Sequence, residues 1–233
     1  MPKIKRALIS LSNKNNLLPL LKCLKRHKVD IISSGGTFKA IKKLKFKCSE
    51  ISDFTKFPEI LDGRVKTLHP KIYAGILSKR KNKKHTQELT KNKFNNIDLV
   101  IVNFYPFENT TKKTSNHKKI IENIDIGGPT MVRAAAKNYN DVTVITSIDQ
   151  YDELISQLNQ NNGSTTQKFR QKMSKDAFSE TAYYDSIISN YFNKISNDKF
   201  PQKKVFNANL ISKLRYGENP HQDGAIYSNS NSL

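Results

Sequence analysis

The chain has 233 residues, of which 36% are hydrophobic, and a formal net charge of +20 at pH 7. This length is enough to bury a substantial core in one large or two small domains. No run of eighteen apolar residues occurs, and the apolar stretch over residues 7–12 is shorter than the hydrophobic region of a signal peptide. We therefore expect a soluble, cytoplasmic protein without a membrane partner.

The positive charge raises nucleic acid as a partner, because clustered basic side chains release counterions from a phosphate backbone. Lysine outnumbers arginine by 33 to 7, however, whereas base reading and bidentate phosphate contacts favour arginine. Asparagine is also abundant, and since its codons and those of lysine are adenine-rich, biased coding explains the charge more simply. We expect no nucleic-acid partner, and we expect the basic run 79–84 to be a solvated loop.

The two cysteines, Cys23 and Cys48, lie far apart and form no CxxC pair. This spacing predicts neither a zinc site nor a disulfide. We interpret both as buried thiols.

Strand and helix patterns alternate over the first 150 residues. The apolar segment KIKRALISLS predicts a strand followed by a leucine-rich helix, and VDIISS predicts a second strand followed by the helix FKAIKKL. Two more apolar segments, IDLVIVNFYPF and DVTVITS, are further predicted strands. Such alternation is typical of an α/β fold with a parallel sheet covered by helices on both faces.

A helical extension is predicted after the last of these strands. Between Ile148 and Asn197 the pattern indicates a short helix, a break over residues 161–163 and then a long amphipathic helix. Extended and turn-rich segments follow Pro201, which places a boundary between a first domain, 1–199, and a remainder, 200–233. The closing SNSNSL is low-complexity sequence with no evident fold.

Polar residues that follow the first two strands are candidates for ligand binding, since open α/β sheets bind ligands beyond the carboxyl ends of their strands. They are Ser10, Ser12, Asn13 and Lys14 after the first strand, and Ser34, Gly35, Gly36 and Thr37 after the second. Glycines and free N–H groups at a helix start favour an anion such as phosphate. Ordinary turn chemistry explains the glycine pair equally well, so both interpretations stay open.

The segment DGRVKTLHP places four polar side chains within six positions. Arg64 offers a planar fork for a phosphate, and Lys66 offers a point charge that exchanges a proton if it is desolvated. A solvated basic turn is the alternative, and the residues alone favour it. His69 has no second ligand at metal spacing, so we expect it to cap or pack.

The segment ENIDIGGPTMVRAAAKN describes a loop that leads into a helix, with Pro129 predicted at the first helical position. Asp125 and Lys137 could converge there as an acid and an amine. The alternative makes Asp125 a helix-entry residue and Lys137 a favourable charge near the helix C-terminus, and the residues alone favour this alternative.

Five motifs occur in one order along the chain: GRVKTLHP, YAGIL, NFYPF, ENIDIGGPTMVRAAAKN and LRYGENPHQ. With them the sequence resembles the family of bifunctional AICAR transformylases and inosine monophosphate (IMP) cyclohydrolases over about residues 4–227. The resemblance implies a methylglyoxal-synthase-like fold, which is a Rossmann-like parallel sheet flanked by helices. It also implies a cyclohydrolase that converts 5-formamidoimidazole-4-carboxamide ribotide (FAICAR) to IMP and water in purine biosynthesis.

The resemblance further implies roles for single residues. Its catalytic group comprises Lys66, Tyr105, Asp125 and Lys137. Its nucleotide pocket comprises Ser12, Asn13, Lys14, Ser34, Gly35, Gly36, Thr37, Arg64 and Thr67, and Asn103, Ile126 and Gly127 line the nucleobase. Ser10 is kept as a substrate-binding candidate from its place near the end of the first strand. Arg215 and Tyr216 match a contribution to the transformylase site instead.

The resemblance implies no cofactor and no metal for the cyclohydrolase, and a homodimer as its assembly. 10-Formyltetrahydrofolate belongs to the transformylase domain, of which residues 200–233 match only the start, so we expect no transformylase activity from these residues. Two rivals share the fold. Methylglyoxal synthase is disfavoured by IDIGGPTMVRAAAKN, and a non-catalytic nucleotide-binding module would keep the phosphate loops without needing Lys137.

Overall fold

Five parallel strands form the sheet of the first of two compact units, which extends to Thr181. The computed structural model describes residues 3–197 and 199–229. The spatial order of the strands is β3-β2-β1-β4-β5. Their bounds are Arg6–Leu11 for β1, Asp30–Ser33 for β2, Ser49–Glu50 for β3, Leu99–Asn103 for β4 and Thr143–Ile145 for β5. The predicted parallel α/β sheet is thereby confirmed.

Helices connect these strands and follow the last of them. They are α1 (Leu17–Arg26), α2 (Gly35–Lys43), α3 (Ile51–Thr55), α4 (Pro70–Leu77), α5 (Lys83–Lys91), α6 (Phe107–Lys113), α7 (His117–Glu122), α8 (Gly127–Lys137), α9 (Tyr151–Gln160) and α10 (Gln167–Ile195), with a 3-10 turn at Ile148–Gln150. The predicted long helix corresponds to α10, and the break before it is confirmed. Among the described residues, no helix combines the length and apolar character needed to cross a membrane.

The core lies on both sides of the central strands. Ala7, Leu8 and Ile9 of β1 and the first four residues of β4 are buried, because each strand is covered by helices on both faces. Cys23 and Cys48 are buried free thiols, as predicted.

The strand register brings three loops to one edge of the sheet. Ile9 pairs with Ser33 of β2, and Leu11 pairs with Asn103 of β4. Because the strands are parallel, the segments that follow β1, β2 and β4 therefore emerge side by side at their carboxyl ends. This edge is where a ligand site is expected in an open α/β sheet.

Most of the basic run 79–84 is exposed, as predicted, with Arg80 as the exception. Arg80 is largely buried, donates to the carbonyl of Ile97 at 2.7 Å and pairs with Asp98 at 3.4 Å. Lys83 and Lys84 are exposed at the start of α5, so the loop ends before them. Arg80 departs from the prediction because carbonyl and carboxylate groups at the amino-terminal edge of the sheet bind its guanidinium.

Pro129 is the third residue of α8 and not the first, because Gly127 and Gly128 are already helical. Proline at the third position does not destabilise the helix. Proline lacks an N–H, and the first four N–H groups of a helix have no intrahelical acceptor in any case.

The second compact unit begins at Ala182, inside α10, whereas the sequence placed a boundary near residue 200. It contains an antiparallel pair, β6 (Asn209–Lys213) and β7 (Ala225–Ser228). Asn207 Nδ2 donates to Ser186 Oγ at 2.7 Å and Asn209 Nδ2 to Tyr183 Oη at 2.8 Å. These bonds join the end of α10 to the segment around β6. Residues 230–233, which hold most of the predicted unstructured tail, lie outside the described residues.

Candidate active site

A cavity of about 750 Å³ opens at the carboxyl edge of the sheet, within the size range of small-molecule sites. Most residues of the predicted cyclohydrolase site line it. They are Ser10, Ser12, Lys14, Ser34, Gly35, Gly36, Thr37, Arg64, Lys66, Thr67, Asn103, Tyr105, Asp125, Ile126 and Gly127. The tertiary structure thus gathers segments that are up to 117 positions apart in the chain into one pocket.

The glycine turn at the start of α2 lies between two ammonium groups. Gly35 has a φ of 53°, a left-handed conformation that glycine adopts without steric cost. A Cβ placed on Gly35 would lie 3.8 Å from Lys66 Nζ, and one on Gly36 would lie 3.8 Å from Lys14 Nζ. The helix N-terminus and the two cations together form a cradle suited to a phosphate.

Thr37 has a structural part in this cradle. Its hydroxyl donates to the carbonyl of Leu11 at 3.0 Å and accepts the Leu11 N–H at 2.8 Å. The side chain is buried, so both bonds are shielded from water. Thr37 thereby fixes the end of β1 against the start of α2.

Asn103, the last residue of β4, holds the loop after β1. Its Oδ1 accepts the N–H groups of Ser12 at 2.7 Å and of Asn13 at 3.0 Å, and its Nδ2 donates to the carbonyl of Asn13 at 2.8 Å. Asn13 does not line the cavity, unlike the other residues predicted in this loop. Its Oδ1 accepts the Asn15 N–H at 3.0 Å, which stabilises the turn.

The basic segment before α4 carries two ion pairs. Arg64 pairs with Glu122 at the end of α7, and Lys66 Nζ lies 3.7 Å from Glu59 Oε1. The Lys66 side chain is only 27% exposed, whereas that of Arg64 is 66% exposed. Lys66 is therefore turned into the pocket, while Arg64 lies at its mouth as a solvated cation.

His69 caps α4, as predicted. Its Nδ1 accepts the N–H of Lys71 at 3.1 Å. Among the described residues, no group of three or more His, Cys, Asp or Glu side chains is arranged to hold a metal ion.

Asp125 lies just before α8 and is mostly withdrawn from solvent. Its Oδ1 accepts the N–H of Gly128 at 2.8 Å. Burial raises the pKa of this carboxyl, and hydrogen bonds from the N–H groups of Gly128 and Tyr105 and the charge of Lys66 oppose that rise. Such a carboxyl can both donate and accept a proton, as an acid–base group must. The phenol of Tyr105 lines the same cavity and is 43% exposed.

Lys137 does not join this cluster within one chain, which corrects the predicted convergence with Asp125. It is the last residue of α8, is exposed and lies outside the cavity lining. Lys137 is ten positions after Gly127 in this helix, or about 15 Å along the axis. The alternative geometry is found instead, with Asp125 at the helix entry and Lys137 at the helix C-terminus.

Arg215 and Tyr216, the residues matched to a transformylase site, belong to the second unit. They lie between β6 and β7, and both are exposed.

The cavity also contains residues that sequence reasoning did not single out. They are Leu11, Asp62, Gly63, Ile121, Glu122, Ile124, Gly128 and Met131. Glu122, Ile124, Gly128 and Met131 lie within the motif ENIDIGGPTMVRAAAKN, and that membership was the only signal for them. An apolar residue such as Ile121 has the pattern of a core position.

Comparison with known proteins agrees with this architecture. Residues 16–130 match the family model of the MGS-like domain, and residues 135–233 match that of the AICARFT/IMPCHase bienzyme. The solved structure titled "Crystal structure of ForH" superposes with a TM-score of 0.72 at 28% identity, covering 81% of this chain and 99% of that one. The predicted methylglyoxal-synthase-like fold is confirmed.

Two relatives are both called bifunctional purine biosynthesis protein PurH. The one from Bradyrhizobium diazoefficiens is 46% identical over 97% of this chain and 43% of its own length. The one from Clostridioides difficile is 47% identical over 97% of this chain and 44% of its own length. The chain thus spans less than half the length of these relatives. On the strength of this similarity along nearly all its residues, the chain is a homologue of part of the bifunctional purine biosynthesis protein PurH.

Proposed function

We propose that this chain is an IMP cyclohydrolase, which closes the ring of FAICAR to give IMP and water. The observation that carries the proposal is the meeting of Asp125 and Lys66 in one pocket with the glycine turn of α2. The turn supplies an anchor for the ribotide phosphate. The acid and the amine supply the groups that ring closure requires.

The phosphate would lie at the N-terminus of α2, between the ammonium groups of Lys14 and Lys66. Arg64, at the mouth of the pocket, would exchange its bond to Glu122 for one to the phosphate. Anchoring the phosphate holds the carboxamide and formamido groups of one substrate in a fixed place. Positioning of this kind lowers the entropic part of the barrier.

Ring closure forms a bond between the carboxamide nitrogen and the formyl carbon. The π electrons of the formyl group move to its oxygen, where the ammonium of Lys66 would stabilise the developing charge, with the Tyr105 phenol as a further donor. Asp125 would take the proton that leaves the carboxamide nitrogen and pass it to this oxygen, which becomes a hydroxyl. It would then take the proton of the formamido nitrogen and give it to the hydroxyl, which departs as water while the C=N bond of the ring forms; a raised pKa favours both transfers.

The reaction is neither an oxidation nor a reduction, and we propose no cofactor or metal for it. Lys137 lies outside this pocket in one chain, so its catalytic part stays a prediction from the resemblance. The homodimer, and the use of 10-formyltetrahydrofolate by a transformylase domain, likewise stay proposals.

The experiment is to add FAICAR to purified protein and follow the absorbance of the purine ring. Turnover is expected, and Lys66→Met should lower kcat by about 100-fold because charge stabilisation is lost. Lys71→Met is a matched control, since Lys71, on α4, lies over the ring of Phe54 on α3 and outside the cavity lining. Binding of IMP without any ring closure by the wild type would make the protein a nucleotide-binding module instead.

A further inference from the structure

Tyr73 lies on α4 and has a phenol oxygen that is closed off from solvent and has no hydrogen-bond partner among the described residues. Its neighbours Ile72 and Ile76 on the same helix are buried in the core. Burial raises the pKa of Tyr73 to about 12, so the phenol keeps its proton throughout the physiological range. A buried donor without an acceptor is unfavourable and rare in proteins, so it calls for a physical reason.

Two polar groups at the start of α8, which packs against α4, act on the phenol. One is the hydroxyl of Thr130, which opposes the rise of the Tyr73 pKa but donates its own proton to the carbonyl of Ile126 at 2.7 Å and makes no hydrogen bond to the phenol oxygen in the structure described. The other is the carboxyl of Asp125, whose charge contributes to the raised pKa of Tyr73. Asp125 is therefore the anionic acceptor available to the Tyr73 proton.

Three further groups act on Asp125. They are the ammonium of Lys66 before α4, which acts through its charge, and the N–H groups of Tyr105 after β4 and of Gly128 in α8, which donate hydrogen bonds. Tyr73 adds a donor from α4. Unlike the two N–H groups, the Tyr73 hydroxyl makes no hydrogen bond to Asp125 in the structure described.

We propose that Tyr73 is a positioning residue that donates a hydrogen bond to the Asp125 carboxylate when that group is ionised, and releases it when the group is protonated. The inference rests on the proposed function, in which Asp125 passes through both states in each turnover. A donor that pairs only with the charged form lowers the cost of ionising a buried carboxyl. It also fixes the orientation of the carboxylate toward the substrate.

The test is Tyr73→Phe, which removes the hydroxyl and keeps the ring. Loss of a donor to the charged form disfavours ionisation, so the pKa of Asp125 should rise. We expect the acid limb of the kcat profile to move to higher pH and kcat to fall by about tenfold, with KM nearly unchanged. Carbon-13 NMR of the labelled Asp125 carboxyl measures its titration directly.

Tyr151→Phe is the matched control. The phenol oxygen of Tyr151 on α9 is also buried without a partner among the described residues, and burial alone raises its pKa to about 12. At a pH low enough to keep Asp125 protonated, both variants remove an unpaired buried hydroxyl, so neither should lower the midpoint of urea unfolding there. Only Tyr73→Phe should move the Asp125 titration and kcat.

An unchanged Asp125 titration in folded Tyr73→Phe would overturn the proposal. The same holds if Tyr151→Phe moved that titration equally, because the effect would then be a general one of core hydroxyls. The NMR measurement needs no turnover. It therefore separates a failure of this inference from a failure of the proposed cyclohydrolase reaction.

Discussion

Asn103 and Asn13 are joined by two hydrogen bonds that run in opposite directions. The Asn13 N–H donates to Asn103 Oδ1 at 3.0 Å, and Asn103 Nδ2 donates to the Asn13 carbonyl at 2.8 Å. The side-chain amide of Asn103 thus bonds the backbone that follows β1, where the main-chain hydrogen bonds between β1 and β4 have ended. The loop that carries Ser12 and Lys14 to the pocket is held in place by this one amide.

Asn103→Ala should therefore weaken both the fold and the binding of the ribotide. The variant loses three bonds to the loop after β1, which we expect to lower the free energy of unfolding by about 1–3 kcal/mol. The affinity for IMP should fall about tenfold, because Lys14 is no longer fixed. Urea unfolding and calorimetry measure the two effects. Asn15→Ala, in an exposed neighbour outside the cavity lining, should change neither.

Gly128→Ala should damage catalysis more than phosphate binding. A Cβ on Gly128 would lie 2.9 Å from Cγ of Asp125 and closer still to its Oδ2, so the carboxyl must move. We expect kcat to fall by at least about tenfold, since a small misplacement of an acid–base group is costly. Inhibition by inorganic phosphate, which depends on the turn at Gly35, should be unchanged. A normal kcat would show that the place of this carboxyl does not matter.

Asp125→Asn should abolish turnover and yet stabilise the fold at neutral pH. Because burial raises the pKa of Asp125 above its usual 3.8, the native state holds the proton more tightly than the unfolded chain. The stability this contributes is complete below pH 3.8 and is lost as the pH rises through the raised pKa.

The neutral amide of Asp125→Asn escapes that loss, and its oxygen still accepts the Gly128 N–H. Urea unfolding of both proteins at about pH 4 and about pH 8 is the measurement. The variant should gain stability relative to the wild type as the pH rises. A difference between them that is independent of pH would contradict the assigned pKa direction.

Glu122→Gln should tighten ribotide binding by about two- to fivefold, because it frees Arg64 for the phosphate. The Arg64 and Glu122 side chains are 66% and 48% exposed, so the pair contributes little to folding. The unfolding midpoint should stay where it is while KM falls. Glu108→Gln breaks a comparable exposed pair with Lys112 outside the cavity lining and should leave KM alone.

Local pattern in the sequence determined four of the five strands of the sheet and several of the longer helices of the first unit. Period and composition depend only on neighbours along the chain, so VDIISS and the long apolar pattern of α10 could be assigned without any contact map. Short elements such as β3 and α7 carried too few residues for a pattern. The motif order was equally a property of the sequence, and it gave the family and most residues that line the pocket.

Only the tertiary structure decided which of those residues meet. Parallel register sets Asn103 beside the loop after β1, and the length of α8 separates Lys137 from Asp125. Arg80 and Tyr73 show the same dependence on tertiary structure. A basic run predicts solvent-exposed side chains, yet Arg80 is largely buried. A tyrosine in a helix indicates a core position, and nothing in the sequence indicates that its hydroxyl is buried without a partner. Their burial and their partners follow from the packing of distant segments, and the free energy of a buried polar group depends on those partners alone.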